Sequence, residues 1–279
     1  MIKALWKNKK TVTFQYLLSL LSALAVVIPF YRTLLLDTGH TLALDTLVKD
    51  FDFMVFTDAL RAFSDVLRPY IFRVFLLLGI AALAVPFFSG GFIDAVIHNK
   101  FRFQRFLIHC RRFWGPTLGL ALITGLFVLI STVLTVGISL LMTALFKEPD
   151  HRTAVLLHVP ALLFFLLSQG FLFLLWDYSR VILVTTGKKD IFNALAAALR
   201  IVTRSSRPAL LLAAVLLAGL AGLGLYLLLD KAIGMTSPLT ITVMLLLQQG
   251  FIYYRLFLRM LHIKLASGQV NSVKTRARF

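Results

Sequence analysis

Six uncharged apolar runs set the plan of the chain. Thr11–Tyr31, Val74–Ile93, Phe113–Phe146, Thr153–Trp176, Pro208–Leu229 and Ala232–Tyr254 contain no Asp, Glu, Lys or Arg. Each meets the roughly 20 residues a helix needs to cross about 30 Å of hydrocarbon. Backbone groups in lipid must be bonded internally, which makes helices the default, and the alternation of a membrane barrel is absent. The pattern predicts an all-α integral membrane fold with six transmembrane helices. The third run, 34 residues long, must tilt or extend beyond the bilayer. The first has the basic lead of a signal peptide and an Ala23-Leu24-Ala25 cleavage-like site, but its apolar run continues through Val26, Val27 and Ile28. It is read as a retained helix.

The segments between the runs carry a second pattern. Phe53, Phe56, Leu60, Phe63 and Leu67 fall at helical spacing in the loop from about Leu34 to Pro69. This predicts short amphipathic helices there, covering the bundle or docking a partner. Lys100, Phe101, Arg102, Phe103, Arg105 and Phe106 mix basic and aromatic residues, as an interfacial helix does. Asp190 is placed to cap a helix running to about Arg204, with Ile191, Leu195, Leu199 and Val202 on one face. Pro116 and Pro208 are expected to open the third and fifth spans.

Charge orders these segments. Four of them (the N-terminus, 94–112, 177–207 and the tail from Arg255) hold 21 basic residues and three acids, Asp94, Asp177 and Asp190. The intervening ones hold seven basic and nine acidic residues. Arg73 alone lies outside both sets. The positive-inside rule then puts both termini in the cytoplasm of a bacterial inner-membrane protein.

Composition agrees. The chain of 279 residues is 59% hydrophobic and 15% charged, with a mean hydropathy of +0.88, more apolar surface than a soluble domain of this length can hide. Its net charge of +17 would suggest nucleic acid on a soluble protein. Here the charges flank spans, so anionic lipid headgroups are the expected partners and nucleic acid is not. Cys110, the one cysteine, excludes an intrachain disulfide and a multi-cysteine metal site.

Three short stretches resemble one another: Ser89-Gly90-Gly91-Phe92-Ile93, Ser168-Gln169-Gly170-Phe171-Leu172 and Gln248-Gln249-Gly250-Phe251-Ile252. Their Gly-Phe pairs begin at 91, 170 and 250, steps of 79 and 80. Even spacing at the ends of the second, fourth and sixth runs predicts three pseudo-repeated hairpins, about 1–97, 98–180 and 181–279, in a single membrane domain 1–279. Ala214, Ala218 and Gly222, with Gly119 and Gly125, are expected to let helices approach closely.

Reactive motifs are missing. There is no Walker-type loop, His-Glu-x-x-His, Gly-x-Ser-x-Gly or cysteine pair. No catalytic centre, cofactor or metal is expected. His158 is read as a hydrogen-bonded packing residue, with a pigment or metal ligand as the other reading. The candidate polar site consists of Asp94, Gln169, Asp177, Arg180, Gln248, Gln249, Arg255 and Arg259. Clustering of the even-numbered spans would gather these groups into a ring at the inner interface. The ring would be either an ion-pair network, such as Asp177 with Arg255 or Arg259, or a site for an anionic headgroup.

The Gly-Phe-Ile closure, the Trp176-Asp177-Tyr178-Ser179-Arg180-Val181 stretch and the Asp190–Arg204 segment resemble a loose group of uncharacterised bacterial polytopic proteins. That group is similar to the membrane domain found beside some glycerophosphodiester phosphodiesterases. The resemblance would cover most of the chain. It implies a membrane bundle without phosphodiesterase activity, since no catalytic domain accompanies it. The expected function is a structural or accessory subunit that binds lipid and another membrane protein. A transporter or lipid-handling permease is the second expectation, and a lipid-modifying enzyme the third.

Overall fold

A computed structural model describes residues 9–38, 64–146, 151–234 and 237–276, and every element in them is helical. In chain order these are α1 (Lys9–Thr38), α2 (Ser64–His98), α3 (Phe103–Leu145), α4 (His151–Thr186), α5 (Ile191–Arg204), α6 (Arg207–Ile233) and α7 (Pro238–Arg276). All but α5 contain a stretch long and apolar enough to cross a membrane. The protein is thus an all-α, multi-pass membrane protein. The amphipathic helices expected between 34 and 69 fall mostly on 39–63, outside the described residues.

The chain divides into two compact units, Phe14–Val85 and Met1–Thr13 with Pro86–Phe279. In the first, α1 and the leading part of α2 turn large apolar side chains outward, among them Leu21, Val27, Phe72, Phe75 and Leu78. Such faces are unfavourable in water and ordinary against lipid tails.

The second unit holds the core. Helices α3 and α4 run antiparallel, joined across the bundle by Gln169 Nε2 donating to Ser131 Oγ at 2.7 Å and by Ser139 Oγ with His158 Nδ1 at 2.9 Å. His158 is therefore a hydrogen-bonded helix-packing residue. Helices α6 and α7 form a second antiparallel pair. Here Gly222 serves as the small-residue pattern predicts: a Cβ on it would lie 2.5 Å from the Tyr254 ring, whose hydroxyl donates to the Ala218 carbonyl at 2.9 Å. Gly119 likewise admits Ile191 of α5, whereas a Cβ on Gly125 would meet open space.

Helix ends follow local chemistry. Helices α4 and α6 stop at Gly187 and Gly234, both with φ near +65°, where an L side chain would be strained. Ser237 caps α7 through its Oγ, which accepts from the Thr240 N–H at 3.3 Å. The Asp190 carboxylate accepts from the Asn193 N–H at 3.1 Å, the expected cap of α5. This bond holds the exposed Asp190 carboxyl below the usual carboxylate range. A depressed folded value means that the cap is at full strength above the unfolded carboxylate pKa of about 3.9 and weakens as pH falls through the lower folded value. We expect the Asn193 amide resonance to titrate below pH 3.9 in detergent, and Asp190→Ala to fray the first turn of α5 at neutral pH.

Several predicted boundaries are corrected. Pro116 does not open α3. It lies inside a helix that begins at Phe103 and absorbs the basic-aromatic segment. Thr117 steadies this region, its hydroxyl lying 2.7 Å from the Phe113 carbonyl and 2.9 Å from that of Pro86. The run Ala232–Tyr254 is not one helix, because Gly234 ends α6 after Ile233 and Pro238 starts α7. Helices α4 and α7 continue well past Trp176 and Tyr254. On α5 the buried positions are Ala194 and Ala198, while Leu199 is exposed, so the inward face is rotated from the one predicted. Alanines there let α5 lie close against its neighbours.

Candidate functional site

Two buried polar clusters lie at the basic end of the second unit. Helices α2 and α7 reach it after similar apolar lengths. From Val74 to Asp94 is about 30 Å along α2, and from Pro238 to Arg255 and Arg259 is about 26 and 32 Å along α7. These distances match the hydrocarbon thickness of a bilayer.

Asp177 is the centre. Its side chain is buried and takes two partners: Arg180 Nη2, one turn along α4, on Oδ1, and His262 Nδ1 of α7 on Oδ2 at 3.1 Å. Arg180 reaches on to α2, where Nη1 donates to Ser89 Oγ at 3.2 Å, and its guanidinium lies 4.5 Å from the Trp176 ring centroid. His262 stacks beside Phe173. Tyr178 Oη donates to Gln269 Oε1 at 2.5 Å, a second link from α4 to α7. Lys264 Nζ donates to the carbonyls of Val96 at 3.2 Å and Ile97 at 2.8 Å, satisfying the open end of α2. The C-terminal parts of α2, α4 and α7 therefore converge, and buried polar bonds tie them together.

Asp94 forms a separate cluster between α2 and α3. Arg105 clamps it in bidentate fashion, Nε at 2.9 Å and Nη2 at 3.0 Å, with His98 at 3.0 Å and His109 at 3.4 Å. The Gly90-Gly91 pair makes this contact possible. A Cβ on Gly90 would lie 2.9 Å from the His109 carbonyl, and one on Gly91 would lie 2.6 Å from Cys110 Sγ and 2.7 Å from the Phe106 ring. The other two Gly-Phe pairs differ, since a Cβ on Gly170 or Gly250 would meet nothing within 4 Å.

The eight predicted residues thus separate. Asp177 and Arg180 come together, but not with the expected arginines: His262 takes the place assigned to Arg255 or Arg259. Asp94 stands in its own cluster. Gln169 bonds Ser131 and lines an apolar recess between α3, α4 and α6, together with Thr124, Gly125, Phe173 and Leu216. Gln248 is exposed and Gln249 half-buried on α7. Arg255 and Arg259 are exposed and line a groove of about 590 Å³ walled by Phe173 of α4, Leu212, Leu216 and Leu223 of α6, and Phe251 of α7. Sequence reasoning missed His262, Lys264, Ser89, Arg105 and His109. The apolar positions Met260, Ile263, Ala266 and Val270, all buried, were the available signal that α7 continues.

At the centre both carboxylates are occupied. Both buried carboxylates are held by cations, and among the described residues no three His, Cys, Asp or Glu side chains are grouped to hold a metal ion. Within the cluster, Arg180 Nε and His262 Nε2 are buried without a partner. No family model, curated protein or solved structure matches the chain.

Proposed function

We propose that this protein is a non-catalytic, multi-pass accessory subunit of a bacterial inner membrane, with both termini cytoplasmic. In this reading it binds anionic lipid at its basic face and packs against another membrane protein. The observation that carries the reading is the pairing of its two buried carboxylates. Asp177 is held by Arg180 of its own helix and by His262 of α7, and Asp94 by Arg105 of α3, rather than facing an open cleft, so their role is to fix α2, α3, α4 and α7 in one arrangement. A nucleophile or general base needs a reactive group presented to substrate, and these groups are occupied. The charge asymmetry of the loops supports the orientation. The outward leucine and phenylalanine faces supply surface for lipid and for a partner span.

A lipid-handling permease is the second reading, favoured by the open groove with arginines at one end. A solute path lined by Gln169, Gln248 and Gln249 has less support, because Gln169 bonds Ser131 on α3 while the other two lie on α7. Reconstitution into sealed vesicles separates the readings. The accessory reading predicts no flux of loaded anionic or neutral solutes above protein-free vesicles. Solute-dependent flux that Gln169→Leu abolishes would replace it with a transporter.

A further inference from the structure

The groove between α4, α6 and α7 has the character of an amphiphile site. Its walls are apolar and open, with Leu216 and Leu220 turned outward on α6. Its charged residues are Arg255 and Arg259, with the buried His262 beside them, all from α7. Among the described residues, neither arginine has a carboxylate within ion-pair distance, since Asp177 is taken by Arg180 and His262, and Asp94 by Arg105. Arg259 also stands near enough to Arg180 for their charges to repel. Asp177 is thus paired with one arginine and a histidine, Arg259 and Arg255 have no carboxylate of their own, and the region lacks negative charge.

We propose that this groove holds one anionic phospholipid, with its phosphate on Arg255 and Arg259 and an acyl chain along the α6 wall. The assignment rests on the lipid-binding part of the reading above and names its site. Planar guanidinium groups match phosphate oxygens in pairs. Their position, about one hydrocarbon thickness along α7 from Pro238, is where a headgroup phosphate lies. A soluble anion would use the arginines and leave the apolar walls idle. A lipid uses both.

The test is native mass spectrometry of the full chain, purified in detergent, with phosphatidylglycerol or phosphatidylcholine added. The wild type is expected to retain one phosphatidylglycerol at least tenfold more tightly than phosphatidylcholine. Arg255→Gln with Arg259→Gln abolishes the preference. Leu216→Trp, which fills the groove without altering charge, lowers retention of phosphatidylglycerol. Arg200→Gln, an arginine on α5 outside the groove, changes neither. Equal loss in Arg200→Gln, or no preference in the wild type, overturns the site in favour of diffuse charge. Displacement of the lipid by inorganic phosphate, with Leu216→Trp binding as well as wild type, overturns it in favour of a soluble anion. Loss of the site without solute flux leaves the accessory reading standing, whereas flux with the lipid preference intact overturns that reading alone.

Discussion

Asp177→Ala is expected to destabilise the protein by about 3–5 kcal/mol, the cost typical of leaving a buried charge without its partner. Asp177 and Arg180 are 1% and 3% exposed, so water cannot replace the missing carboxylate. The substitution also strands His262 Nδ1 and loosens α4 from α7. Thermal unfolding in detergent should show a large fall in midpoint and lower recovery of folded protein. Arg180→Leu should cost less, because Asp177 keeps His262. The double substitution Asp177→Leu, Arg180→Leu should be more stable than Asp177→Ala alone, since it removes both charges rather than one. Residues in direct contact show coupling of about 0.5–3 kcal/mol, and a cycle giving less than that would mean that the pair does not tie the helices together.

Gly91→Ala is expected to destabilise by about 1–3 kcal/mol, the range for overpacking a filled core. Its Cβ would meet Cys110 Sγ at 2.6 Å and two Phe106 ring atoms within 2.8 Å, and both of those residues are buried. The same change at Gly170 or Gly250 meets open space. There it should be neutral or stabilising by up to about 1 kcal/mol, the helix preference of alanine over glycine. The three sites have nearly the same local sequence, so the contrast isolates packing from propensity. Equal effects at all three positions, measured by thermal unfolding, would show that the close approach of α2 and α3 is absent.

The membrane class, the apolar helices and the Asp190 cap were legible in the sequence because each rests on local chemistry: length, hydropathy, one side chain at one position. Helix ends were not. The uncharged runs end at charged residues, yet Asp177, Arg180 and Lys264 lie within continuing helices. Charge marks where a helix can no longer face lipid. It does not mark where the helix stops, and a carboxylate neutralised by an arginine one turn on, as Asp177 is by Arg180, can be buried. Proline misled in the same way at Pro116, where Thr117 and the packing of α2 sustain α3 through the missing N–H. Partner choice was illegible for a different reason. Asp177 had several cations in reach of any plausible arrangement, and only the register of α7 against α4 selects His262 over Arg259. The glycine signature was visible as spacing, but the tight contact at Gly91 depends on what α3 presents there.

Native mass spectrometry after mild extraction from the source membrane tests the accessory role most directly. A stable complex of this chain with a second membrane protein is expected, with anionic phospholipid retained. A lone chain under conditions that preserve other membrane complexes would contradict it.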